Sequence, residues 1–280
     1  AGVITVMKVA YLGPQGSFSE EAAFRYFADH ENEWHKCDSI VDVLEAVEEG
    51  IADKGIVPIE NSIEGTINIT ADGLLRHDLF VEAEIIFPVS LHLLALKGAH
   101  LEEIREVWSI VPALAQCRDF IREAKVKSKH YDSTSAAAQA VNNQERKDVA
   151  AIASKYAAEV FDLEIVKSGI QDNSNNHTRF VVISKENAEI HPKNSKTMLL
   201  ISPTSDYSGV LSSILNVFTA LSINLTWIES RPTKKQLGTY HFFVEAQNGL
   251  HEEKMNKAIT ILEAFGHDVR VLGSYRTTRL

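Results

Sequence analysis

The chain has 280 residues, a formal net charge of −10, 45% hydrophobic residues and 24% charged residues. That mixture is globular rather than disordered, and its acidic balance excludes a general nucleic-acid or anionic-membrane binder, which needs positive charge. No apolar run reaches the roughly 20 residues of a membrane span, so neither nucleic acid nor membrane is an expected partner.

The residues ahead of Met7 lack a basic start and a long apolar stretch, which argues against a secretory signal. Met7 reads as the natural start, and the residues before it as an addition. Cys37 and Cys117 are the only cysteines and read as free thiols of a reducing, cytoplasmic compartment. The Asn-x-Thr matches at Asn68, Asn176 and Asn224 are then chance sequons.

Residues 8–12 read as a strand that ends in the loop Gly13-Pro14-Gln15-Gly16. Ser17 or Ser19 can cap the next helix, with Glu20 and Glu21 in its first turn, where the helix dipole favours them. Ser39 caps a second helix, and residues 54–57 form a buried strand stopped by Pro58. This alternation predicts a parallel sheet with helices packed on it. Strands follow at 80–87, 89–96 and 107–110, then a helix opened by Pro112 over 113–121. Tyr131 ends a strand, and an Ala-rich helix runs from Ser133-Thr134-Ser135 to Val141. Strands at 149–152 and 163–166 flank a helix at 154–161; residues 169–177 are an Asn-rich loop, and 179–184 a further strand.

A polar stretch at 186–195 reads as a linker. Beyond it the order is strand, helix, strand, strand, helix, strand: the βαββαβ ferredoxin-like unit. The expected fold is therefore α/β, in a large module with room for two lobes and a ligand cleft, followed by a small module from about Lys196.

No Walker loop, Gly-x-Gly-x-x-Gly, Gly-x-Ser-x-Gly or Cys-x-x-Cys occurs, and the 11 histidines are scattered. Neither a metal nor a cofactor is expected. Gly13-Pro14-Gln15-Gly16-Ser17-Phe18 lies at a helix N-terminus, where N–H groups suit a carboxylate and where an ordinary turn fits as well. The stretch from Pro58 to Thr66 follows another strand end, a usual ligand position in open α/β sheets. In Asn173-Ser174-Asn175-Asn176-His177-Thr178-Arg179-Phe180 the planar fork of Arg179 could clamp an anion, or a solvated loop could simply begin a strand. Ser208-Gly209-Val210-Leu211 and the stretch from Asn224 to Pro232 could face one amphiphilic ligand or serve only as caps.

Glu60-Asn61-Ser62 with Gly65, Ala113-Leu114-Ala115-Gln116-Cys117 and Asn176-His177-Thr178-Arg179-Phe180, together with the first Gly-rich loop, resemble the prephenate dehydratase family. The C-terminal unit, with Glu229-Ser230-Arg231-Pro232, is similar to the ACT domain through which phenylalanine inhibits those enzymes. The resemblance covers the chain from Lys8 onward. It implies a catalytic module at 8–185, similar to the periplasmic-binding-protein fold, with one lobe at 8–84 and 162–185 and the other at 85–161. The linker at 186–195 and an ACT domain at 196–280 complete the chain.

The resemblance further implies a lyase that converts prephenate to phenylpyruvate, water and CO2 in phenylalanine biosynthesis, without cofactor. Thr178 would take the acid role as a concerted donor or relay. Arg179 would orient the loop or pair a carboxylate, and Phe180 would pack the site. Asn61, Ser62, Ser17, Gln116 and Ser135 are the implied polar contacts. Phenylalanine is expected near Gly209, Leu211, Asn224, Leu225, Glu229 and Ser230, across contacts between copies in a homodimer or homotetramer. The linker is then the expected route from that site to Thr178. The chain departs from the family where Ser-His-Pro-Gln-Ala-Leu becomes Ser109-Ile110-Val111-Pro112-Ala113-Leu114, and where Pro-Gly-Ala-Leu becomes Ser208-Gly209-Val210-Leu211. An arogenate dehydratase and a non-catalytic amino-acid sensor are the competing readings.

Overall fold

In a computed structural model, residues 6–193 and 195–280 are described. The start of the segment read above as no secretory signal, and Asn194 of the expected linker, lie outside them. The first stretch runs β1 (Met7–Leu12), α1 (Phe18–Tyr26), β2 (Asn32–Cys37), α2 (Ile40–Glu48), β3 (Lys54–Asn61), the short β4 (Gly65–Thr66) and α3 (Asn68–Arg76). Next come β5 (Phe80–Pro88), β6 (His92–Ala95), β7 (Glu106–Ser109), α4 (Val111–Gln116), α5 (Arg118–Ala124) and β8 (Lys127–His130). α6 (Thr134–Asn142), β9 (Val149–Ala153), α7 (Lys155–Val160), β10 (Glu164–Lys167) and β11 (His177–Ser184) follow. The last part is β12 (Lys196–Pro203), α8 (Val210–Ala220), β13 (Leu225–Pro232), β14 (Tyr240–Ala246), α9 (Glu253–Ala264), β15 (His267–Tyr275) and β16 (Thr277–Arg279).

Helix starts follow local chemistry. The hydroxyls of Ser17, Ser39, Ser133 and Ser154 accept from the backbone N–H three residues on, satisfying donors that the first turn leaves free.

The strands build three sheets, ordered β16-β5-β11-β3-β1-β2 with β4 on β3, then β10-β6-β9-β7-β8, then β13-β14-β12-β15. The third has the expected βαββαβ order. Three expectations change. β2 was not anticipated, because its polar sequence carries no apolar alternation; it pairs in parallel along β1 as an edge strand. The expected return to the first lobe at residue 162 is corrected, since β10 pairs antiparallel with β6 in the second sheet and only β11 crosses back. The helix expected over 113–121 is interrupted at Cys117 into α4 and α5.

The first and third sheets share one core. Val43, Leu44, Val57, Leu74 and Val181 of the first lobe pack continuously with Met198, Trp227, Phe243, Leu272 and Tyr275 of the third sheet. α8 and α9 cover that sheet's other face with Ile214, Phe218, Met255 and Leu262. The chain then returns to the first lobe, because β16 pairs in parallel with β5.

Contact between β15 and β5 is close enough to exclude a side chain: a Cβ on Gly273 would stand 1.9 Å from the carbonyl oxygen of Val81. Gly273→Ala must push the sheets apart, and a thermal or denaturant melt is expected to show a loss of about 1–3 kcal/mol. An unchanged melt would contradict this packing.

Candidate active site

The carboxyl ends of the parallel strands in the first two sheets face one another. The loop after β1 meets the segments after β8 and β9, since a Cβ on Gly16 would lie 2.8 Å from the Phe161 ring and 3.5 Å from Ser135 Cβ. From the end of α4, the Gln116 side chain reaches the loop after β3, donating from Nε2 to Glu64 Oε1 at 3.1 Å. Phe18 packs with the apolar clusters of both lobes. Ligands of α/β sheets sit at such strand ends.

Thr178 is the second residue of β11, opposite Asn61 on β3 and Phe87 on β5. Asn61 organises its surroundings. Its Oδ1 accepts from the N–H groups of Ile63 and Glu64 at 3.0 and 3.1 Å, fixing the turn that follows β3. Its Nδ2 faces Asn176 Oδ1 at 2.9 Å, the His177 carbonyl at 3.3 Å and Thr178 Oγ1 at 3.4 Å. Asn176, only 1% exposed, donates in turn to Gln116 Oε1 at 2.9 Å. A chain of amides thus runs from Glu64 through Gln116, Asn176 and Asn61 to Thr178, crossing between the lobes. The Thr178 oxygen serves as an acceptor in it, which turns the hydroxyl proton towards other partners.

The remaining candidates are spread around this chain. Ser62 Oγ accepts from His177 N at 2.8 Å and donates to the Asn175 carbonyl at 3.2 Å, so it pins the Asn-rich loop. Ser17 caps α1 and donates to the Leu12 carbonyl at 3.1 Å. Ser135, 1% exposed, lies 3.3 Å from the Ser133 hydroxyl. The structure brings Asn61, Ser62, Gln116 and Thr178 together, while Ser17 and Ser135 occupy the neighbouring loop contact. Phe180 is 1% exposed and packs on Phe87 within the core of the first lobe, beneath the site rather than in it. Ser109, in the departing stretch, is buried and donates to the Ile152 carbonyl at 2.7 Å. Among the described residues no group of three or more His, Cys, Asp or Glu side chains could hold a metal, and no helix is long and apolar enough to cross a membrane.

In the third sheet, Leu211, Glu229 and Ser230 line a hollow of about 520 Å³ with Val210, Ile228, Tyr240 and Phe242. Gly209 begins α8 beside it with φ +86°, a conformation that favours glycine. An adjoining cavity of about 460 Å³ shares Val210, Tyr240 and Phe242. Thr178 lines neither. Asn224 and Leu225 stand at the far end of β13, where Leu225 pairs with Ala246 while Ser230 pairs with Phe242. Within one copy of the chain they are not gathered with the other four.

Arg179 is the largest departure from expectation. Strand alternation turns it away from Thr178 and towards the third sheet. Its Nη1 donates to Glu245 Oε1 at 2.6 Å and to Glu84 Oε2 at 3.4 Å, and its guanidinium carbon lies 5.2 Å from the centre of the Trp227 ring. Lys196 Nζ donates to Glu84 Oε1 at 3.0 Å, Thr226 Oγ1 to Glu245 Oε1 at 2.6 Å, and Tyr275 Oη to Glu245 Oε2. The anion that the sequence left open for Arg179 is thus the protein's own, and two cations balance two buried carboxylates. Burial raises the Glu84 pKa, and the Glu245 charge adds to the shift. Burial opposes the Glu245 charge too, but Arg179, Lys196 and the hydroxyl donors outweigh it and hold that carboxyl below its usual range. Sequence reading missed both glutamates because each stands in an apolar strand, far along the chain from Arg179. Arg179→Met leaves Lys196 alone against two buried carboxylates, and chemical denaturation is expected to show a loss of about 3–5 kcal/mol. A loss below about 1 kcal/mol, the level of a surface pair, would mean that the cluster is not buried as described.

Comparison with known proteins gives the family. The family model for prephenate dehydratase matches residues 9–188. The prephenate dehydratase of Lactococcus lactis subsp. lactis (strain IL1403) is 40% identical over 276 residues, covering 96% of this chain and 97% of that protein. The crystal structure of the prephenate dehydratase from Staphylococcus aureus subsp. aureus Mu50 superposes with a TM-score of 0.86 at 36% identity, covering 96% of this chain and 100% of that one. A prephenate dehydratase from Arthrobacter aurescens, solved in complex with L-Phe, gives 0.86 at 31% identity, covering 96% and 90%. With a family model over most of its length and a near full-length relative at this identity, the chain belongs to the prephenate dehydratase family.

Proposed function

We propose that the protein is a prephenate dehydratase, converting prephenate to phenylpyruvate, CO2 and water, and that phenylalanine inhibits it through the C-terminal module. The observation that carries this reading is the amide chain ending on Thr178, which presents one hydroxyl donor where the strand ends of two lobes meet.

Prephenate carries two carboxylates and a ring hydroxyl. The bond between ring and carboxylate breaks, and its electron pair enters the ring. The carbon–oxygen bond across the ring then breaks, and the departing hydroxyl takes one proton to leave as water. Aromatisation supplies the driving force, so the protein has to orient the dianion and assist the leaving oxygen. On this reading Thr178 gives that assistance as a concerted donor, relaying a proton drawn from solvent. The N-terminus of α6, a positive dipole end with no acidic residue in its first turn, offsets the chain's acidic balance for a dianion, whereas α1 already carries Glu20 there. Asn61 and Gln116 are the polar contacts best supported by the geometry. Ser17, Ser62 and Ser135 shape the loops. Arg179 holds β11 rather than touching substrate.

On this reading residues 8–185 are catalytic, 186–195 connect, and 196–280 are regulatory, in a cytoplasmic homodimer or homotetramer. Phenylalanine occupies the hollow beside Gly209, Leu211, Glu229 and Ser230, with Asn224 and Leu225 supplied from a neighbouring copy. Its effect has a more direct route than the linker. Trp227 Nε1 donates to Thr66 Oγ1 at 3.0 Å, just beyond the Asn61 turn, and Arg231 holds Asp72 of α3 at 2.7 and 2.9 Å.

Purified protein given prephenate is expected to release phenylpyruvate, read by its ultraviolet absorbance in alkali. Thr178→Ala should lower kcat by about 10²–10⁴-fold, the usual worth of a positioned proton donor, with Thr178→Ser retaining part of it. Turnover of arogenate alone would reassign the substrate. No turnover of either, with phenylalanine still bound, would make the protein a sensor. Saturating phenylalanine should slow the wild type, and unchanged kinetics would remove the regulatory half of the proposal.

A further inference from the structure

Among the described residues, Glu20 is the one buried carboxylate at the cleft, 3% exposed on the first turn of α1. It accepts three hydrogen bonds from separate places. Tyr11 Oη of β1 donates to Oε2 at 3.0 Å, and the Gly16 N–H of the first loop donates to Oε1 at 3.1 Å. Tyr156 Oη, from α7 of the opposite lobe, donates to the same Oε1 at 2.7 Å. The last is the shortest, as expected of a donor aimed at a charged acceptor. Burial, reinforced by the Glu20 charge, raises both phenols above the ordinary tyrosine range, so both stay protonated as donors.

The Tyr156 contact joins the two lobes, so a separation of α7 from α1 would break it. All three donors are neutral, so the carboxylate depends on their number for its solvation. Two of them stay with it in any arrangement of the lobes, while the third leaves whenever α7 moves away. Gly16, held by Glu20 on one side, presses on Phe161 and Ser135 of the second lobe on the other. The Glu64–Gln116 bond makes a second bridge across the same cleft. The first belongs to no group that touches Thr178.

We propose that Glu20 and Tyr156 are positioning residues for the reaction: their hydrogen bond is a clasp that sets the closed population of the lobes and holds the Gly13–Ser17 loop against bound substrate. The inference rests on the cleft being the site of prephenate chemistry. A hydrogen bond to a charged group shifts an equilibrium by roughly tenfold or more. A protein that spends longer open pays for closure out of substrate affinity, whereas the geometry at Thr178 is restored once substrate saturates.

The test is Tyr156→Phe, which deletes one hydroxyl and leaves the ring in place. KM for prephenate is expected to rise several-fold, up to about tenfold, with kcat at saturation within about twofold of wild type. Small-angle scattering of the ligand-free variant should give a larger radius of gyration than wild type, restored by saturating phenylpyruvate. Glu20→Gln, a weaker acceptor of the same shape, should move both readings the same way. An unchanged KM, a fall in kcat alone, or superimposable ligand-free scattering curves would each overturn the clasp. If wild type fails to turn over prephenate, the fault lies with the assigned reaction, and the ligand-free scattering comparison still decides whether the clasp exists.

Discussion

Successive residues of a β-strand point to opposite faces, and on β11 that rule divides the labour of the molecule. Thr178 meets the amide chain at the cleft, and Phe180 enters the core below it. Arg179, between them, crosses to Glu245 of the third sheet. A one-residue slip would exchange these faces, so the register of β11 between β3 and β5 has to be held firmly. Antiparallel pairing with both neighbours along nearly its whole length does this, and the ion cluster adds a second hold. Taking four charges out of water is costly, and their mutual attraction offsets that cost incompletely, since Arg179 Nε and Nη2 are buried without a hydrogen-bond partner among the described residues. Here two cations, two carboxylates and three hydroxyls meet within one shared core.

That shared core changes what the boundary near Lys196 means. By composition it is a break before an independent βαββαβ unit. In three dimensions the unit's free sheet face is the missing wall of the first lobe, with Met198, Trp227, Phe243 and Tyr275 in the same cluster as Leu44 and Val181. β16 then joins the first sheet outright. Removing residues 196–280 would therefore strip apolar cover from the lobe that carries Thr178, as well as removing the hollow beside Leu211. The two modules are joined by packed side chains and ion pairs as well as by the linker.

Much of this architecture was legible in the sequence because local signals carry it. Ser17 and Ser39 announce their helices, the β1 and β3 runs are apolar, and the C-terminal period switches in the order of a ferredoxin-like unit. The site loops were legible too, since they follow strand ends and gather amides and hydroxyls around Thr178. What stayed hidden depends on partners far along the chain. Arg179 and Glu245 are 66 residues apart, and Glu20 and Tyr156 are 136 apart. No local pattern reports such a meeting. β2 and β16 were hidden for a related reason: polar edge strands are held by a neighbour's backbone, and their own side chains carry little of the signal. Asn224 and Leu225, at the far end of β13 from Ser230, fit the expected site only across contacts between copies.

The pairing of Arg179 with Glu245 also orders events in time. A ribosome that has just added Arg179 has still to make the 66 residues that lead to Glu245, a wait of roughly 3–13 s at about 5–20 residues/s. Throughout that interval the guanidinium next to Thr178 has no Glu245 to meet, and the lobe beneath it lacks a wall. β16, which completes the first sheet, emerges later still, after the whole third sheet. Vectorial synthesis thus makes the strand that carries Thr178 wait for the third sheet, so the first sheet is completed last although most of it is made first.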